Sequence, residues 1–423
     1  MTRFYYWLRF AIISLFIITF ISQSNVFEPD RKDRVRAYTR MVEFDYVGWT
    51  LDAFVSKFNQ ASLATSQFLT NHQNEQQVRD CMALVSTLDQ VNNQIDIIYA
   101  DPSIRKPEEA GHSLIIRRDE LKQQQALIQP ICEEIIEQQI VSVLDDWQLT
   151  TLGQTIPPVL YHVTPLPYAL ITSPRNVITQ EQNISLEHGL TPEEITRIEK
   201  NVENALDVSA LVVPIGGVGV YPTMVLSTSD LTWQIKTVAH EWTHNYLTMR
   251  PLGLNYETTP ELRTMNETTA EITGKEVGEE VIKRFYPELV PQPAPVEEPT
   301  TEPPQVAQPT AAPPKFNYNK EMHTTRITAD HLLSEGKIEE AETYMEQRRQ
   351  LMWQHGYQIR RLNQAYFAFY GAYADVPGGA AGNDPVGPAV VKLRAMSGSL
   401  ADFLNRISGM TSFDELKKAV GES

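Results

Sequence analysis

The sequence predicts an α+β chain, mainly helical, with a small mixed sheet in its middle and a helical N-terminal region. Three observations predict it. From Asp33 to Trp147 apolar residues recur at helical spacing among Gln, Asn and charged residues. A proline-broken stretch with strand composition then runs from about Thr150 to Ser229. After it, capped amphipathic segments return and continue to the C-terminus.

The chain opens with "MTRFYYWLRFAIISLFIITFISQSN". Phe10 to Ile21 is an uncharged apolar run of twelve residues, and adding Phe4 to Leu8 gives eighteen if Arg9 reaches the interface. Residues 1–24 are expected to be a signal peptide, with Ser22 and Ser24 as small residues near a cleavage site, or a membrane anchor. Either places the following domain outside the cytoplasm. Arg31, Lys32, Arg34 and Arg36 just after the run argue for the cytoplasmic face instead. A membrane-anchored or exported, extracytoplasmic protein is the expectation carried forward.

Residues 25–150 are read as two or three long antiparallel helices, broken near "ADPSIRKPEEAG". Ile135, Ile136, Ile140, Val143 and Leu144 form a broad apolar stripe in the last of them. The two cysteines of the chain, Cys81 and Cys132, fall here. They could pair across two helices in an oxidising compartment or stand as separate buried thiols.

Residues 151–286 carry the candidate chemistry. "VLYHV" and "YALIT" have strand composition. In "LTPEEITRIEKNVENALD", Thr191 can cap a helix, Pro192 takes the first position and Glu194 completes a capping box. "VSALVVPIGGVGVYPTMV" reads as two short strands around a glycine-rich turn, where Gly216 and Gly217 supply flexibility. Asp230 or Ser229 caps the helix "LTWQIKTVAHEWTHNYL", and another helix follows in "TMNETTAEITGKEVGEEVIKRF".

From 287 to 315 Pro, Thr and Glu dominate, predicting an extended linker or loop. Residues 316–423 are expected to complete the catalytic domain with helices resuming at about Ile327, turning at Gly336 and breaking near Gly356. A helix through "RRLNQAYFAFYGAYADV" and a last amphipathic helix over about Leu393 to Ile407 follow.

With a net charge of −17, the 423-residue chain lacks a basic surface able to displace counterions from phosphates, so nucleic acid is excluded as a partner. The informative motif is "HEWTH". Residues four apart on a helix share a face, so His240 and His244 can aim imidazole nitrogens at one ion. Glu241 lies beside the pair, where it can take a proton from a water without itself being a ligand. Twenty-three residues after His244 comes Glu267, and Glu271 lies four further on. One of these carboxylates can reach the ion while the other accepts the remaining N–H of a ligand histidine.

These residues resemble the gluzincin metallopeptidases, the thermolysin-like enzymes and zinc aminopeptidases, over about residues 211–285. "VGVYPTMV" corresponds to the edge strand of that group, "HEWTH" to its first motif and "NETTAE" to its second. The resemblance implies a zincin-like catalytic domain and one Zn²⁺ per chain held by His240, His244 and Glu267. It also implies Glu241 as general base, Glu271 behind a ligand histidine, and a peptide or protein substrate. Zinc aminopeptidases hold the free amine of their substrate with a glutamate on that strand. "GGVGVYPT" has no acidic residue, so the motif does not decide between endo- and exopeptidase. Asn363, Tyr366, Tyr370 and Tyr373 fall on one predicted helix face. A tyrosine there could stabilise an oxyanion, although tyrosines at this spacing more often pack a core. The expected function is a zinc-dependent metallohydrolase cutting peptide bonds. The alternative is a non-catalytic, membrane-anchored helical scaffold with a structural metal.

Overall fold

The computed structural model describes residues 30–63, 65–100, 104–291, 316–371 and 382–422, with scattered positions between 7 and 17. Most of the apolar N-terminal run therefore lies outside the described residues, as do nearly all of the Pro-rich segment and Tyr373. Among the described residues no helix is long and apolar enough to cross a membrane. Residues 1–41 and 42–423 are separate compact units. The first contains α1 (Arg31–Arg36), whose N-terminus is capped by Asp30 accepting from the Asp33 amide.

The second unit begins with three long helices, α2 (Tyr46–Leu63), α3 (Asn71–Ala100) and α5 (His112–Asp146), with a short α4 (Pro107–Ala110) between the last two. Helix α5 packs on α3 and carries the predicted stripe, Ile135, Ile136, Ile140, Val143 and Leu144, all fully buried. Cys81 of α3 and Cys132 of α5 are joined as a disulfide, their Cα atoms 6.7 Å apart.

Two three-stranded sheets follow. In the first, β1 (Tyr161–Val163) runs parallel to β6 (Thr223–Val225), which pairs antiparallel with β5 (Gly217–Val218). In the second, β2 (Tyr168–Pro174) lies between β3 (Gln182–Leu186) and β4 (Val208–Pro214), all antiparallel. The glycine-rich segment thus separates strands of different sheets, three strands where two are expected. The edge strand β3, "QNISL", is polar and half-exposed, so its composition gives no strand signal. Helix α6 (Pro192–Leu206) starts with the predicted capping box.

Buried Lys57 of α2 joins the helical region to the first sheet. Its Nζ donates to Glu133 at 2.7 Å and Glu137 at 2.8 Å on α5. The same carboxylates accept from the amides of Val163 and Tyr161, both at 2.8 Å, so the outer edge of β1 is satisfied by side chains. Burial pushes Glu137 up to about 7 in spite of Lys57.

Helices α7 (Leu231–Thr248) and α9 (Pro260–Phe285), bridged by the short α8 (Pro251–Leu254), run through the main core. Asp230 caps α7 by accepting from the Trp233 amide at 2.9 Å, and Thr259 caps α9. Past α9, Pro287–Leu289 forms a 3-10 turn before the Pro-rich segment. Helices α10 (Tyr318–Ser334) and α11 (Ile338–Gln354) follow, and α10 starts nine residues before the expected Ile327 because Asn317 caps it. Helix α12 (Gln364–Tyr370) is shorter than expected at its start, since the Asn363 side chain accepts from the Tyr366 amide and sets the N-terminus there. The single last helix expected over 393–407 is α13 (Val386–Ala395) and α14 (Leu400–Ile407), with α15 (Phe413–Ala419) beyond. Ser399 caps α14 and interrupts the apolar periodicity that otherwise runs through.

Candidate metal centre

Helix α7 buries Leu231, Ile235, Val238, Ala239, Trp242 and Tyr246 in the core and turns His240, Glu241 and His244 towards a cleft of about 880 Å³. Helix α9 crosses behind it and brings Glu267 and Glu271 to the same cleft. Two glycines allow this crossing. A Cβ at Gly274 would lie 2.7 Å from the Lys236 carbonyl and 3.0 Å from His240 Cβ, and one at Gly278 would meet the Lys236 side chain at 2.5 Å. A larger residue at 274 would collide with the backbone of α7 next to His240.

His240, His244 and Glu267 each offer one atom to a group whose members lie within 4.8 Å of one another. The two Nε2 atoms are 3.1 Å apart, and Glu267 Oε2 is 3.7 Å from that of His240 and 3.5 Å from that of His244. A tetrahedral ion with bonds of about 2.0–2.1 Å needs donors about 3.3–3.4 Å apart, and these three separations bracket that edge. Glu267 is nearly fully buried, and its Oε2 has no hydrogen-bond partner. A buried carboxylate oxygen left in this state costs free energy unless a cation faces it.

The outer nitrogens fix which atoms face inward. His244 Nδ1 lies 2.7 Å from Asn266 Oδ1, and His240 Nδ1 lies 3.3 Å from Glu271 Oε2. Both oxygens accept, so each Nδ1 can carry a proton while each Nε2 faces inward. Two ring nitrogens 3.1 Å apart need a proton or a cation between them. On the far side, the Tyr256 hydroxyl donates to Glu267 Oε1, and Arg263 Nε donates to that hydroxyl at 3.4 Å. One oxygen of Glu267 is thereby fixed and the other left for a ligand.

With no ion between them, the carboxylates favour a proton on the rings in its place. Burial opposes ionisation of Glu267, yet the His244 and His240 rings hold it well below the usual carboxylate range. Burial disfavours a charged His240, but Glu267 and Glu271 outweigh it and push the ring up to about 10. Burial also disfavours a charged His244, but Glu267, with Glu241, outweighs it and raises that ring too. Glu241 goes the other way: burial pushes it up, suiting a group that must accept and release a proton.

Glu241 faces the edge strand β5. A Cβ at Gly217 would lie 2.8 Å from both Cδ and Cγ of Glu241, and one at Gly219 would lie 3.0 Å from His244 Cβ. Neither Gly216 nor Gly217 has a positive φ. These glycines therefore answer a close approach of backbone to side chain rather than the tight turn the sequence suggests. The strand pairs with β6 on one side, and its residues line the cleft.

Every predicted site residue reaches this cleft. Of the tyrosine stripe, Tyr370 lines it, whereas Tyr366 shares a 3.2 Å hydroxyl contact with Tyr318. Asn363 is not on that face; it caps α12 and donates to the Ala210 carbonyl at 3.0 Å. Sequence reasoning assigned no role to Asn266, Tyr256, Tyr46, Gly274 or Gly278. Asn266 and the Gly274–Gly278 pair stand at readable spacings, next to Glu267 and four residues apart on one helix. Tyr46 comes from α2, and nothing local announces that it lines the same cleft. Comparison with protein-family models, curated proteins and solved structures finds no match to this chain, so these residues themselves are what speaks for its function.

Proposed function

We propose that this chain is a zinc-dependent metallohydrolase of gluzincin type that cuts peptide bonds. His240, His244 and Glu267 would hold one Zn²⁺, with Asn266 and Glu271 fixing the two rings. The observation that carries the reading is the unpartnered, buried Oε2 of Glu267 opposite two inward-facing imidazole nitrogens. The bound ion supplies Lewis acidity, lowering the pKa of an attacking water towards about 7 and drawing electrons from the scissile carbonyl.

The chain's own groups do the rest. Glu241 accepts the proton of the attacking water and passes it to the leaving amine; its raised pKa brings it closer to that double task. The edge of β5 pairs with an extended substrate backbone, and Gly217 and Gly219 let that backbone pass close to Glu241 and His244. Tyr370, on the cleft wall, is the assigned oxyanion donor. The disulfide between Cys81 and Cys132 supports an exported or membrane-anchored, extracytoplasmic protein over the cytoplasmic alternative.

The test is hydrolysis of unstructured peptides by the zinc-loaded protein and by Glu241→Gln. The variant should keep its metal and lose activity by about 10²-fold or more. Undiminished hydrolysis would remove Glu241 from the mechanism and leave the scaffold reading standing.

A further inference from the structure

Helix α2 is inside out. It buries Ala53, Lys57 and Gln60, which are 2%, 5% and 7% exposed. Its large apolar residues face outward: Val47 is 73% exposed, Leu51 63%, Phe54 43%, Val55 62% and Phe58 75%. The spacing of these five, at 47, 51, 54, 55 and 58, is one continuous stripe along a helix. Ordinary surface helices bury such a stripe, and scattered exposed residues do not line up in this way. The polar face is committed, since Lys57 is clamped by Glu133 and Glu137, so the helix cannot roll over to hide its apolar side.

Two features of the chain indicate what covers this stripe. The uncharged apolar run Phe10–Ile21 ends 25 residues before Tyr46, so the chain ties α2 to whatever that run enters. Between them, residues 22–45 balance five basic side chains, Arg31, Lys32, Arg34, Arg36 and Arg40, against five acidic ones, Glu28, Asp30, Asp33, Glu43 and Asp45, in a chain of net charge −17. An apolar helix face that follows an apolar run in the same chain, with no excess of acidic charge between them, matches the interface of a bilayer.

We infer that the Val47–Phe58 face of α2 lies in the interface of a bilayer and holds the metal cleft at the membrane surface. Tyr46, the first residue of α2, lines that cleft. The substrates this selects are extended polypeptide segments at or just above the bilayer, a conclusion that rests on the hydrolase reading above.

The lipid contact can be tested without hydrolysis. The two native cysteines are paired, so a cysteine introduced by Leu51→Cys or Phe58→Cys alone takes an environment-sensitive nitrobenzoxadiazole label. The full chain is reconstituted in phosphatidylglycerol–phosphatidylcholine vesicles, with the exposed Glu340→Cys as reference. Labels at 51 and 58 should shift to the blue and be quenched by doxyl lipids, whereas the label at 340 is quenched by aqueous iodide. Labels at 51 and 58 as open to iodide as the reference would overturn the inference. So would shielding without lipid quenching, which would mean a protein contact. For the substrate class, Phe58→Glu should slow cleavage of a vesicle-tethered peptide by about tenfold or more and leave a soluble peptide unaffected. Equal effects on both peptides would contradict it. No hydrolysis of either peptide by the native chain would defeat the hydrolase reading, while the labels still decide the membrane contact.

Discussion

Gly217 passes so close to Glu241 that a single added methyl would lie 2.8 Å from the carboxylate's Cδ and Cγ. The strand and the carboxylate share one space, and only the absence of a side chain on the strand lets the carboxylate keep its place. Gly217→Ala should therefore lower kcat/KM by about 10²-fold or more while leaving bound metal at the native level, because the ligands lie on α7 and α9. Peptide kinetics alongside elemental analysis check this; loss of metal together with activity would show a wider disruption.

The outer partners of the two rings give a graded prediction. Asn266→Ala removes the acceptor of His244 Nδ1, and Glu271→Gln weakens that of His240. Each should lower metal affinity by about 10–100-fold without abolishing it. Competition with a chromogenic chelator measures the shift, and native affinity in both variants would separate these residues from the site.

Glu199 tests the frame beneath the second sheet. It is fully buried, bonded to Arg360 and to Arg361 at 2.9 Å, and accepts from the Val212 amide of β4 at 2.7 Å. Burial opposes its charge, but these donors hold it below the usual carboxylate range. A carboxyl depressed in the folded state contributes stability above its unfolded pKa of about 4.5, and that contribution is lost as pH falls through the lower folded value. Glu199→Gln should cost about 3 kcal/mol near neutral pH, with the difference from the native chain shrinking below about pH 4.5. Denaturant unfolding at several pH values reads this directly, and a pH-independent difference would refute it.

The disulfide closes a loop of 51 residues between Cys81 and Cys132. Loop-closure entropy assigns it about 4 kcal/mol. Unfolding midpoints with and without reductant should differ accordingly, and a free-thiol assay on the unreduced, unfolded chain should find none. Two reactive thiols would leave the pairing, and the compartment it implies, without support.

Local rules carried much of this molecule. The capping box of α6, the Asp230 cap of α7 and the His-Glu-x-x-His spacing need only residues within a few positions of one another, so they are readable in one dimension. What escaped depends on distant pieces of chain. Tyr256 acts on Glu267 only because α8 folds the intervening chain back, and Tyr46 enters the cleft from the far N-terminal side. The glycines at 216 and 217 were readable as a turn, but their reason is steric and lies further on, in the side chains of Trp233 and Glu241. The polar strand β3 and the break at Ser399 are set by pairing and capping that override composition.

The most direct test of the central claim is metal content. After equilibration with zinc and removal of excess, the native chain should hold about one zinc per molecule, and Glu267→Ala should hold almost none while keeping its helical circular dichroism. A native chain that retains no zinc, or a folded Glu267→Ala chain that retains as much as the native one, would contradict the account.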